Sequence, residues 1–241
     1  EGDSLKVVDT ATKNTDEKET QVLITLQDEV KKKAPKILTP KETILEQKRE
    51  VSLKEEKDNK RYYVYVKGDV VLTTDSVSEA IIMANSQMGV VIGENQQYVW
   101  KRSRKTAQAA FNDIVVGEED RGAGSIAQCV NAILEKEGIN ISVSALISQG
   151  ETPKQILLNT LKDAAVLDLT GCTVDEILYY VSNGYPVFAM TGSSDAVLVV
   201  GYDANNVVLY DPAMGQTYKR TTADADEMFF NAGNIFFTYQ K

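Results

Sequence analysis

The chain has 241 residues and no histidine. That removes the side chain most often used as a general base near neutral pH, which is also the commonest metal ligand. Cysteine is nearly as scarce. Cys129 and Cys172 are the only two. They are too few for a disulfide scaffold, and without histidine they do not supply the ligand set of a structural zinc site. One disulfide between them is an alternative, but both lie in helical surroundings and buried free thiols are the expected state. No apolar stretch reaches the roughly 18 residues that a spanning helix needs, so no membrane-spanning segment is expected. The chain opens on Glu1 with neither an initiator methionine nor a signal-peptide pattern. A processed or cut N-terminus is therefore expected, with any targeting segment upstream of it.

What is present is ordinary in bulk and uneven in distribution. Hydrophobic residues make up 43% and charged residues 25%, as in soluble globular proteins. The formal net charge is −9, and residues 105–241, with 17 acidic and 8 basic side chains, account for all of it. An acidic domain repels nucleic acid and anionic lipid, which argues against both as partners. Solubility alone is the plainer reading of the same charge.

Three segments follow from composition and periodicity. Residues 1–60 are dense in Lys and Glu and read as a charged stalk or linker. Within them Val22, Leu23, Leu26 and Val30 have helical spacing, while "KILTP" and "REVSL" read equally well as strands. Residues 61–104 read as a small ββαββ module: "YYVYV", "VVLTT", a helix from "SVSEAIIMANSQ", then "GVVIG" and "QQYVWKR" around "ENQ". Ser76 and Glu79 have capping-box spacing. Trp100 and the tyrosines of this module are core or packing residues, or else a recognition surface. "KRSRKTAQ" reads as a linker.

Residues 105–241 are α+β in pattern. A strand is expected at "NDIVV", followed by the polar loop "GEEDRGAG" and a helix at "SIAQCVNAILEKEG" stopped by Gly138. "SVSALISQ" is a short helix. "TPKQILLNTLKDA" starts with Thr152, Pro153 and Gln155 in capping-box order, and "TVDEILYYVSNG" repeats the device with Thr173 and Glu176 and stops at Gly184. Four strands, a short helix at "ADADEMFFNA" and the strand "NIFFTYQ" complete the chain.

This order resembles papain-like cysteine peptidases, in particular the double-glycine, bacteriocin-processing group, over about residues 105–241. The likeness rests on "GSIAQCVNAILEKEGINISVSAL", on "NGYPVFAMT", on "AVLVVGYDANNVVLYDPAMG" and on "ADADEMF". It implies a papain-like helical half joined to an antiparallel sheet. Carried over position by position, it puts Ser125 at the nucleophile, Asp195 at the base, Asp211 at the third catalytic position and Glu119 or a neighbour at the oxyanion position. Gly124, Ser125, Ser194, Asp195 and Asp211 would border the cleft. Cys129 lies one helical turn below Ser125.

Each replacement works against the family's reaction. A serine hydroxyl needs a base to take its proton, and an Asp with a pKa near 3.9 is too weak. A carboxylate at the oxyanion position would repel the charge that develops there. Cys129 has no histidine partner and lies beside the apolar stripe of Ile126, Val130, Ile133 and Leu134, so packing is its expected role. Asp195, Asp203 and Asp211 could in principle hold calcium, but Asp203 precedes "ANN" and Asp211 precedes Pro, which favours turn and cap roles. No metal or cofactor is expected.

The leading expectation is therefore a pseudoenzyme: a catalytically degenerate peptidase-like domain that binds a peptide or protein, with basic partners favoured by its acidic surface. An active cysteine peptidase or other hydrolase of the same fold is the alternative, and a structural extracellular adaptor is a third. By analogy with the family's bacterial relatives, an extracellular or cell-surface setting is expected.

Overall fold

The computed structural model describes residues 60–102, 109–110 and 114–241. Apart from Lys60, the expected stalk over 1–60 lies outside the described residues, as does most of the linker after Lys101. The first layer is an antiparallel sheet in the order β2-β1-β3-β4, made of β1 (Tyr62–Val66), β2 (Asp69–Thr74), β3 (Val90–Gly93) and β4 (Tyr98–Lys101). Helix α1 (Val77–Ser86) packs on one face of it through Val77, Ala80, Ile81 and Ala84. Alternation along β1 buries Tyr62 and Val64 on that face. Lys67 and Gly68, both at positive φ, make the β1–β2 turn.

The Ser76 cap is half of the expected box. Ser76 Oγ accepts from Glu79 N at 3.2 Å. The return arm is missing because Thr74 takes both of its groups: Glu79's carboxylate accepts from Thr74 Oγ1, and the Ser76 amide donates to the same hydroxyl at 3.1 Å.

The second sheet runs β10 (Gln216–Thr221), β9 (Asn206–Asp211), β8 (Ala196–Tyr202), β7 (Val187–Met190), β11 (Phe236–Gln240), β6 (Ala165–Asp168), with β5 (Ala109–Ala110) also paired to β8. Its central strand, β8 (Ala196–Tyr202), is buried along its whole length. Helices cover both of its faces, which explains its continuous apolar run. Ala196, Leu198 and Val200 face α2 (Ser125–Lys136), α3 (Val143–Ser148) and α4 (Pro153–Thr160). Val197 and Val199 face the opposite cluster, with α5 (Val174–Ser182), α6 (Thr222–Asn231) and the small sheet. Strands β7 (Val187–Met190), β9 (Asn206–Asp211), β10 (Gln216–Thr221) and β11 (Phe236–Gln240) complete the expected set. The architecture is α+β.

Two elements differ from expectation. Strand β6 (Ala165–Asp168) follows α4, whose helix ends at Thr160, and pairs with β11 far along the chain. Residues 114–116, read as part of a strand, carry no regular structure. Both expected boxes form at α4 and α5: the Gln155 carbonyl accepts from Thr152 N at 3.0 Å, and the Glu176 carboxylate accepts from Thr173 N at 2.8 Å. Glu176 is buried, and its other oxygen accepts from Asn85 Nδ2 at 2.9 Å. Trp100 Nε1 donates to the Glu176 carbonyl at 2.8 Å. The small sheet is thus tied to α5 by polar contacts as well as by a shared core, all within the compact unit Asn59–Lys241.

Candidate functional site

Ser125 is the first residue of α2, and the cap residue before it, Gly124, offers no side chain to the helix's free amides. Asp195 ends the Thr191–Asp195 turn, which is closed by Thr191 N donating to the Asp195 carbonyl at 2.8 Å. Strand β8 starts one residue later. Packing α2 against β8 therefore brings the two positions together. Ser125 Oγ accepts from Ala196 N at 3.1 Å and lies 3.5 Å from Asp195 Oδ1. Hydroxyl–carboxylate hydrogen bonds usually span about 2.5–3.0 Å, so the second contact is the weak one. Ser194 Oγ approaches Asp195 Oδ2 at 3.3 Å. Gly124, Ser194 and Asp195 are exposed, and Ser125 is half-buried.

Asp211 closes β9. The pairing of Leu198 with Tyr210 puts the end of β9 beside the start of β8, so Asp211 and Asp195 occupy the same end of the sheet. Asp211 Oδ1 is taken up by its own turn: it accepts from Ala213 N at 2.9 Å and Met214 N at 3.4 Å. Among the described residues, no hydrogen bond joins Asp211 to Ser125 or Asp195. Asp203 is likewise committed locally, to the Asn205 and Asn206 amides and to Lys219 Nζ at 2.8 Å. The Lys219 hydrogen bond, with those of the turn, holds its carboxyl well below the usual carboxylate range.

Cys129 is fully buried one turn below Ser125. Burial pushes its thiol well up, and the charge of Asp211 adds to the effect. A nucleophilic thiol needs the opposite surroundings. Cys172 is also buried and free; it lies in the turn before α5 rather than in a helix. Burial raises it, followed by the charges of Glu176 and Asp168.

Glu119 is exposed on the 3-10 turn Glu118–Asp120, and no hydrogen bond among the described residues connects it to Ser125. The important acid of this stretch is its neighbour, which sequence reasoning missed. Asp120 is fully buried. Its Oδ2 accepts from Asn131 Nδ2 at 2.9 Å and Val143 N at 2.7 Å, and its Oδ1 accepts from Ser144 N at 2.8 Å. Asn131 Oδ1 in turn accepts from Gly117 N at 2.6 Å. Asp120 therefore caps α3 and anchors the loop leading to Ser125 onto α2. Three consecutive acids, "EED", carry no signal that tells the buried one from the exposed ones.

Chemically, the site offers a hydroxyl, a carboxylate and the amino end of a helix at one surface, with no imidazole. It can donate and accept hydrogen bonds and attract cations.

No protein-family model and no curated protein matches the chain. Among solved structures it is similar to a crystal structure described as that of a C39-like peptidase from Bacillus anthracis, at 16% identity and a TM-score of 0.48, covering 56% of this chain and 98% of that one.

Proposed function

We propose that residues 105–241 are a peptidase-like domain without peptidase activity, which holds an extended peptide around Gly124, Ser125, Ser194 and Asp195, with Asp211 at the same sheet end. The observation that carries this reading is the use made of the Ser125 hydroxyl. It is held by the Ala196 amide and faces an exposed carboxylate, where a nucleophile would need a base. The burial of Cys129 supports the same reading, because a buried thiol is a poor nucleophile. The surplus of acidic groups after residue 104 makes a basic peptide the favoured guest. A setting at the bacterial cell surface agrees with the family resemblance and is part of the proposal.

Calorimetry of basic, neutral and acidic peptides against the wild type and Asp195→Asn tests the reading. A basic peptide should bind, should bind less tightly as salt is raised, and should lose affinity in the variant. Exposed charges are screened over about 8 Å at physiological ionic strength, which sets the expected salt sensitivity. Binding that ignores both salt and Asp195 would overturn the site. Absence of binding by every peptide would leave a structural adaptor as the better description.

A further inference from the structure

A cavity of about 400 Å³ lies at the other end of α2, lined by Ile114, Val115, Ala132, Glu135, Lys136, Pro186 and Leu198. Ten residues of helix separate Glu135 from Ser125, roughly 15 Å at 1.5 Å per residue, so this is a different place from the Ser125–Asp195 surface. Its size falls within the roughly 300–1,000 Å³ of small-molecule sites. Among the described residues, its walls are apolar apart from two side chains. One of these, Lys136, directs its ammonium to Glu137 at 3.7 Å.

The other is the informative one. Glu135 Oε1 is buried and accepts no hydrogen bond from any of the described residues. Gly117 stands over it so closely that a Cβ there would come within 2.5 Å of that oxygen. Burying a carboxylate oxygen without a donor is costly. The position worsens the cost, because the last turn of a helix carries the negative end of its dipole, which disfavours an anion and favours a cation. A cationic donor would answer both.

We propose that this cavity binds an organic cation: a primary ammonium that donates to Glu135, on an apolar body that lies against Ile114, Val115, Ala132, Pro186 and Leu198. The site goes beyond the peptide-binding reading and does not depend on it.

The test uses matched probes on the whole chain: hexylamine against hexanol and phenethylamine against phenethyl alcohol, followed by protein-observed NMR. Each amine should bind saturably at neutral pH, and at least tenfold more tightly than its alcohol. Glu135→Gln should remove the preference for amine while leaving alcohol binding unchanged. Ala132→Leu, which adds bulk to the cavity wall, should weaken both probes. Ser125→Ala and Asp195→Asn should leave the amine affinity unchanged. Equal binding of amine and alcohol to the wild type, no saturable amine binding, or a preference that survives Glu135→Gln would each overturn the proposal. The first two outcomes need no variant and stand even if a variant fails to fold.

Discussion

The Ser125 hydroxyl accepts the Ala196 amide proton across 3.1 Å, joining the first residue of α2 to the first residue of β8. This side chain thus serves as a clasp between helix and sheet. Ser125→Ala should cost about 1 kcal/mol, the usual loss for one partly buried hydrogen bond, measured by urea unfolding. Ser125→Cys should fold and remain unable to cleave peptides, because the replacement supplies a nucleophile and no base. Turnover by Ser125→Cys would show that a base exists.

Asp120 should be among the most sensitive positions. Replacing it by Ala leaves the Val143 and Ser144 amides and the Asn131 side chain without their acceptor. A loss of at least about 2–3 kcal/mol is expected, since each buried donor left without its acceptor costs about 1–3 kcal/mol. Glu119→Ala, one residue away and exposed, should fall within about 0.5 kcal/mol of the wild type. Equilibrium unfolding of the two variants side by side checks the contrast, and equal effects would refute the assignment of the anchor to Asp120.

This contrast marks the limit of what could be read from the chain. Elements specified locally were legible: Thr152, Pro153 and Gln155 start α4 as their capping chemistry requires, and Gly138 and Gly184 end α2 and α5 at positive φ. The hairpins were legible for the same reason, since each apolar alternation is bounded by its own turn. Strand β6 was not, because four residues of "AVLD" become a strand only through pairing with β11. The meeting of Ser125 with the Asp195 turn was legible only through family resemblance. The choice of Asp120 over Glu119, and the lack of a donor to Glu135 Oε1 among the described residues, depend on groups distant in sequence that no spacing reveals.

Trp100 is the chain's single tryptophan, is almost fully buried and donates to the Glu176 carbonyl. Its fluorescence should report loss of the small sheet, while far-ultraviolet circular dichroism reports the whole unit. Because the small sheet and α5 share one core, the two signals should change together in urea. Trp100→Ala should lower stability by about 3–5 kcal/mol. Two separated transitions would contradict the shared core.

Both thiols should resist iodoacetamide in the folded protein. Burial raises Cys129 and Cys172 above the ordinary thiol range, and nearby carboxylates raise them further. Thiolate is therefore scarce at neutral pH, and labelling must await opening of the structure. Labelling should be slow in buffer and fast in urea, as followed by mass spectrometry. Rapid modification of native Cys129 would contradict its packing role.

Glu137 should contribute to acid sensitivity. Burial pushes its carboxyl up, but hydrogen bonds from Lys241 and Tyr239, with the charges of Lys241 and Lys136, outweigh burial and hold it below its ordinary value. A depressed folded pKa means that the contribution is fully present above the unfolded value, near 4.3, and is lost as pH falls through the folded value. Glu137→Gln should destabilise at neutral pH and flatten the decline of stability below about pH 5. Melting temperatures of both proteins from pH 7 to pH 3 check this, and parallel curves would count against it.

The proposed function is that of a peptidase-like surface that binds without cutting. The most direct measurement is mass spectrometry of a basic peptide recovered from a calorimetric titration with the wild-type protein. Saturable binding and an intact peptide after prolonged incubation are the expected result. A cleaved peptide, with cleavage abolished by Ser125→Ala, would contradict it.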